Sequence, residues 1–309
     1  MPLLYVCNFE ADSVAAFAEA AHGDTAPLRT IRGPRSGLHR PVGIALDGHG
    51  RLHVANAVED AGVTVHSALA DGDAAPLHRL LIRGVLRAIA VGPDGDLFVA
   101  RTSSRGHPAP AVLHVPEGAS CSDRILCGPA TGITHPVGLA LDGRRRLFVV
   151  NAFGGIVAIH AAAAEGDMAP LRAFTPACGD ARSVVVGAGA LVVGGTCVCV
   201  YDIDAGRGAR PLGVFGRSPT LALQGADGLA LGTTPRPSTL RVVDFAARTV
   251  HAIGPSALPA LHGDATGLDG PVAVCIDADP TPTTRSIGTR LRLSRSGRGA
   301  PAFGRIRPA

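Results

Sequence analysis

Pro41-Val-Gly-Ile-Ala-Leu-Asp-Gly-His-Gly-Arg-Leu-His-Val-Ala-Asn56 reads as two short apolar runs joined by a tight turn. Each run is too short for a helix. The turn Asp47-Gly48-His49-Gly50 supplies glycines able to take the positive φ of a hairpin connection. Pro136-Val-Gly-Leu-Ala-Leu-Asp-Gly-Arg-Arg-Arg-Leu-Phe-Val-Val-Asn151 repeats the unit almost residue for residue. A chain that says the same thing twice is read as a repeat protein before anything else.

Two further signatures extend the repeat. Gly-Asp-x-x-Pro-Leu occurs at Gly23–Leu28, Gly72–Leu77 and Gly166–Leu171, and [Ser/Thr]-Gly-apolar-x-x-Pro-Val at Ser36–Val42, Thr131–Val137 and Thr266–Val272. Their offsets are multiples of a period of about 47 residues. Filling the gaps predicts six innermost strands: Val42–Asp47, Leu86–Val91, Val137–Leu141, Arg182–Val186, Pro219–Leu223 and Val272–Asp277. Second strands follow at Arg51–Asn56, Asp96–Arg101, Arg146–Asn151, Ala190–Gly195 and Gly228–Thr233, and the sixth, Leu3–Asn8, lies at the other end of the chain. Third and fourth strands complete each unit, for instance near Val63–Ser67 and Leu77–Ile82. The last unit, Leu240–Asp244 and Arg248–Ile253, takes these places behind Gly228–Thr233.

The reading is all-β: a six-bladed β-propeller over residues 1–279, four antiparallel strands per blade, with the N-terminal strands completing the C-terminal blade. Closure of this kind removes the exposed edges of an open array. Residues 280–309 continue no repeat and are expected to be a disordered tail. Ala-rich pieces such as Ala15–Ala21 favour helix locally, but they are short and run straight into Gly-Asp-x-x-Pro.

The segments 41–56 and 136–151 resemble the core of an NHL repeat: Pro-x-Gly-apolar-Ala-apolar-Asp, a turn, then an apolar strand ending in Ala-Asn or a close variant. The copy at 86–101 keeps the turn and strand, while those at 182–195 and 219–233 are eroded. The resemblance implies the propeller architecture. NHL-type propellers serve protein binding, RNA binding and scaffolding, with enzymes among their relatives, and the fold alone does not choose between them.

Charge narrows the partners. All 29 cations are arginine. The tail holds seven of them and no acid, which leaves 22 arginines against 25 acids, or −3, in residues 1–280. Nucleic acid is therefore not an expected partner of the propeller, although weak contact through the Arg-rich tail is. Aromatics are only 4% of residues and tryptophan is absent, so stacking platforms are not expected either. Seven cysteines at irregular spacing read as buried free thiols, and the twelve histidines form no HExxH or HxH pattern. Met1 runs directly into Leu3-Leu4-Tyr5-Val6 and no window has the apolar length of a membrane span. The default expectation is a cytoplasmic monomer.

Candidate site residues fall on the face where second strands end and first strands begin. Asn8, Asn56 and Asn151 end second strands, with Arg101 in the equivalent place. They read either as ligand groups around the channel mouth or as caps bonding their own backbone. Arg40 and His135 precede the prolines, and Arg87 and Arg182 occupy the slot held elsewhere by Val42, Val137 and Val272. An arginine replacing valine on the innermost strand breaks the repeat's own pattern, and its planar fork suits an anion. The leading expectation is a non-catalytic recognition propeller, with no cofactor, that binds a protein or a small anionic partner on this face. The alternative comes from six-bladed lactonases and related hydrolases, which hold a divalent metal at the channel. On that reading Glu59 and Asp269 join the three asparagines as oxygen ligands for calcium or magnesium.

Overall fold

Leu147-Phe-Val-Val150 and Leu4-Tyr-Val-Cys7 are apolar at every position, so a strand built from either must be covered on both faces. Those residues are 0–2% exposed. The computed structural model describes residues 2–102, 109–187, 189–218, 221–231, 240–253 and 260–276. It covers these strands by standing six antiparallel sheets side by side in a ring. The tail expected at 280–309 lies outside the described residues.

Blade 1 has the order Pro271–Ile276, Leu3–Asn8, Ser13–Ala18, Arg29–Ile31 from the channel outwards. Blade 2 is Pro41–Leu46, Arg51–Asn56, Val63–Ser67, His78–Leu80, and blade 3 is Val85–Val91, Leu97–Thr102, Ala111–Val115, Arg124–Leu126. Blade 4 is Pro136–Leu141, Arg146–Asn151, Ile156–Ala161, Arg172–Phe174, and blade 5 is Ser183–Gly187, Ala190–Gly194, Val198–Asp202, Gly213–Phe215. Closure is as expected: Leu3–Asn8 pairs antiparallel with Pro271–Ile276 in the register Leu4↔Ile276, Tyr5↔Cys275, Val6↔Val274. Among the described residues no helix is long and apolar enough to cross a membrane.

Blade 6 corrects the strand assignment. Leu221–Ala222 pairs only with Arg217–Ser218 in a small hairpin, and Gly228–Leu231 is the innermost strand. Leu240–Asp244 is then second and Thr249–Ile253 third, and the single residue Leu261, bridged to Val250, stands in the fourth place. The reason is a close approach that admits no side chain. A Cβ on Gly228 would meet Val272 O at 2.9 Å, and one on Gly138 would meet Arg182 O at 3.2 Å. Gly43 stands equally close to blade 3, its Cβ 3.1 Å from Ile89 N. Gly228-Leu-Ala-Leu231 is thus the counterpart of Gly43-Ile-Ala-Leu46.

The two long signatures are halves of one device. The carboxylates of Asp24, Asp73 and Asp167 each accept a backbone N–H from the connection leaving the preceding blade: Ala265 at 2.8 Å, Arg35 at 2.8 Å and Ala130 at 2.7 Å. That connection holds its own shape through Thr266, Ser36 and Thr131, whose hydroxyls donate to the carbonyls of Gly263, Gly33 and Gly128 at 2.6, 2.6 and 2.7 Å. A side chain on any of those three glycines would collide with the incoming aspartate. The device locks blade 6 to 1, 1 to 2 and 3 to 4.

Buried apolar residues form one cluster between each pair of neighbouring blades. Within these layers sits His66, fully buried with neither ring nitrogen bonded among the described residues, in the slot that Phe17 fills in blade 1 and Tyr201 in blade 5. Burial, helped by nearby Arg79, pulls its pKa down from 6.5 to about 4.

Two outcomes follow. Deleting residues 1–9 strips several buried side chains worth about 1.5–3 kcal/mol each from a protein whose whole stability is on the order of 5–15 kcal/mol. Calorimetry should show loss of the cooperative transition; an unchanged Tm would refute closure as the stabilising contact. Second, neutral His66 contributes fully above pH 6.5 and loses about 1.4 kcal/mol per pH unit as pH falls toward about 4. His66→Phe should make the denaturation midpoint less sensitive to acid over that window.

Candidate functional site

The innermost strands enter the channel through a bulge. In blades 1 to 4 the register against the second strand slips by one residue, at Val272, Val42, Arg87 and Val137. The same slot in blades 5 and 6 is Arg182, whose N–H donates to Gly194 O at 2.7 Å, and Asp227, whose N–H donates to Val243 O at 2.9 Å. An extra residue in a bulge re-aims its side chain away from the pleat. These six residues line a central cavity of about 110 Å3. Asp227 was not among the sequence candidates, because the strand assignment of blade 6 hid it. Its position directly before Gly228-Leu-Ala-Leu231 is the signal that places it.

Among the described residues the six channel positions therefore carry two cations and one acid. Arg182 Nη1 pairs with Asp227 Oδ1 at 2.9 Å. Arg87 donates only to the Thr102 hydroxyl, at 3.4 Å, and no carboxylate pairs with it among the described residues. Burial pulls its guanidinium below the ordinary arginine range, although arginine stays charged at any physiological pH. His135 is half-buried, its pKa lowered first by burial and then by Arg87. Its ring packs on Phe153 with centroids 4.6 Å apart, and Phe153 is 73% exposed. Arg40 is exposed on the same face, its guanidinium 5.3 Å above the Phe9 ring and its backbone N–H held by Asp12 at 2.6 Å. The structure thus brings Arg87, Arg182 and Asp227 together in the channel, with His135 beside Arg87, and leaves Arg40 on the rim.

The asparagines do something else. Asn8, Asn56 and Asn151 are all 0% exposed. Asn56 Oδ1 accepts the N–H of His39 at 2.8 Å, Asn151 Oδ1 those of Thr134 and His135 at 2.9 and 3.2 Å, and Asn8 Oδ1 that of Asp269 at 3.3 Å. Each amide ties the end of a second strand to the segment entering the first strand of its own blade, and none offers surface to a ligand. Asp244 plays the part in blade 6, accepting the N–H of Gln224 at 2.7 Å. It takes the place of Thr233, the end of the second strand expected at Gly228–Thr233, which lies outside the described residues. Arg101 holds the corresponding place in blade 3 and is 8% exposed.

Most of the oxygens expected of a divalent ion have other partners. The three asparagine oxygens are spent on backbone N–H groups. Asp269 pairs with Arg248 at 3.3 Å, and Glu59 is exposed in the turn after Asn56. Among the described residues no group of three acidic, histidine or cysteine side chains comes together as a metal would require.

No protein-family model matches the sequence, and no curated protein does. Among solved structures, a Bacteroides caccae protein of unknown function superposes over 90% of this chain and 99% of its own, with TM-score 0.68 and 13% identity. A chain of a nidogen/laminin complex superposes over 89% of this chain and 98% of its own, with TM-score 0.61 and 12% identity. At such identities the likeness speaks for the fold alone.

Asn56→Ala leaves the His39 N–H without its partner and removes the amide's hydrogen bond to the Gly62 carbonyl, and should cost roughly 1–3 kcal/mol in chemical denaturation. Unchanged stability would show that the amide is spare and open to a ligand.

Proposed function

We propose that this chain is a non-catalytic recognition propeller of the NHL type that takes up an anionic group of its partner at the channel mouth. The observation that carries the reading is Arg87, a cation lifted into the channel by a bulge and given no acid in return among the described residues. The adjoining pair, Arg182 and Asp227, leaves the channel with one positive charge in excess while the rest of the propeller is mildly acidic. A guanidinium fork grips a carboxylate or phosphate in two parallel hydrogen bonds, and more strongly where water is thin. Phe9, Phe153 and Arg40 around the mouth supply the aromatic and arginine surface on which binding energy usually concentrates. The anion belongs to a small molecule or to an acidic side chain of a protein; both present the same chemistry to Arg87.

Calorimetric titration with succinate, citrate and inorganic phosphate tests the reading. Removing a charge-assisted hydrogen bond costs about 1.5–3 kcal/mol, so Arg87→Ala should weaken binding about tenfold to a hundredfold, with Arg87→Lys in between. Equal affinity for the wild type and Arg87→Ala would refute it.

A further inference from the structure

The junction between blades 2 and 3 departs from the repeat twice, and both departures open the same space. First, the connection between the third and fourth strands of blade 3, residues 116–123, lacks the Gly-Asp pair that locks other junctions. Second, the residue three places before the asparagine position (Asn8, Asn151, and Arg101 in blade 3) is Tyr5 in blade 1, Phe98 in blade 3 and Phe148 in blade 4, each filling the layer toward the next blade. In blade 2 it is His53. A smaller polar ring and an absent lock leave a cleft of about 280 Å3, walled by Leu80 and Leu97 and edged by Arg51, His78 and Glu117.

His53 is 4% exposed, and its Nε2 lies 2.8 Å from Asp47 Oδ2. Burial by itself would raise the Asp47 carboxyl. Hydrogen bonds from His53, from Arg51 and from the backbone N–H of His49 overcome that and hold it at about 2. An ionised carboxylate only accepts, so the proton of neutral His53 sits on Nε2. Its Nδ1 is then a bare acceptor, buried and without a partner among the described residues. A buried acceptor left unpaired is destabilising, and a ligand hydroxyl would relieve it. Arg51 is held by Asp47 on one side and by Glu117 on the other, at 2.6 and 2.9 Å, and the Glu117 side chain is 38% exposed on the unlocked connection.

We propose that this cleft is a binding site for a small hydroxy acid. The ligand hydroxyl donates to His53 Nδ1, its carboxylate replaces Glu117 on Arg51, and its carbon chain lies against Leu80 and Leu97. The site is independent of the channel and stands or falls without it.

Ligand-observed NMR and calorimetry on the full chain should show glycolate, lactate or gluconate binding at millimolar concentration or better. Acetate and propionate, which lack the hydroxyl, and glycerol, which lacks the carboxylate, should bind at least about tenfold more weakly. His53→Phe installs the residue that blades 3 and 4 already use; it should abolish binding and keep or raise Tm. Glu117→Gln removes the competing carboxylate from an exposed position and should strengthen binding severalfold. Arg87→Ala should leave it unchanged, which separates this cleft from the channel. Equal binding of the hydroxy and deoxy acids would overturn the proposal. So would wild-type affinity in His53→Phe, an unaltered affinity in Glu117→Gln, or no binding by any of the hydroxy acids.

Discussion

A blade whose second strand is apolar on both faces cannot stand alone. Leu147 and Val149 face blade 3 while Phe148 and Val150 face blade 5, so every blade is half of two cores and complete in neither. The ring is the smallest arrangement that gives each blade both neighbours, and it exists only if the last blade meets the first. That demand explains why the chain ends are shared. With Pro271–Ile276 innermost and Leu3–Asn8 beside it, the final sheet is held by strand hydrogen bonds between the two ends of the fold, and opening the ring means breaking a sheet.

The remaining devices regulate how tightly neighbours meet. At three junctions an aspartate from one blade caps the chain leaving the other. The junction of blades 4 and 5 uses a different tie, the Tyr201 hydroxyl accepting the N–H of Ala177 at 2.6 Å. Blades 5 and 6 join at the channel through Arg182 and Asp227. The junction of blades 2 and 3 has no such backbone cap among the described residues; Arg51 and Glu117 pair across it at 2.9 Å, beside the cleft. Polar residues enter these layers at two equivalent places: His53 for an aromatic ring in blade 2, and Arg241, 2% exposed with Nε and Nη1 unbonded among the described residues, in blade 6. Departures of this sort in a repeat are where a surface acquires chemistry the parent unit lacks.

The bulge makes a second kind of departure available. Because it aims one residue per blade into the channel, changing that residue alters the channel without touching the cores. Valine at three blades keeps the channel apolar, and two arginines and an aspartate at the others make it an uneven ring of charge. Site and scaffold are thereby uncoupled, which a strand position within the pleat would not allow.

Period, turn chemistry and blade count were legible in the chain itself, because each depends on residues a few positions apart. The hairpin turn is written in Asp47-Gly-His-Gly50, the repeat in its spaced signatures, and closure in the missing second strand of the last copy. Arg87 and Arg182 stood out for the same local reason, as arginines in a valine slot. What only the tertiary structure decided depends on partners far along the chain. Asp24 caps Ala265 across 241 residues, Gly228 is innermost because blade 1 presses on it, and Asp227 joins the channel as a result. The asparagines were equally visible as ligands or as caps, since a side-chain amide looks the same in sequence whether its hydrogen bonds are spent or free. Burial settles that, and burial is a property of neighbours that the order of residues does not name.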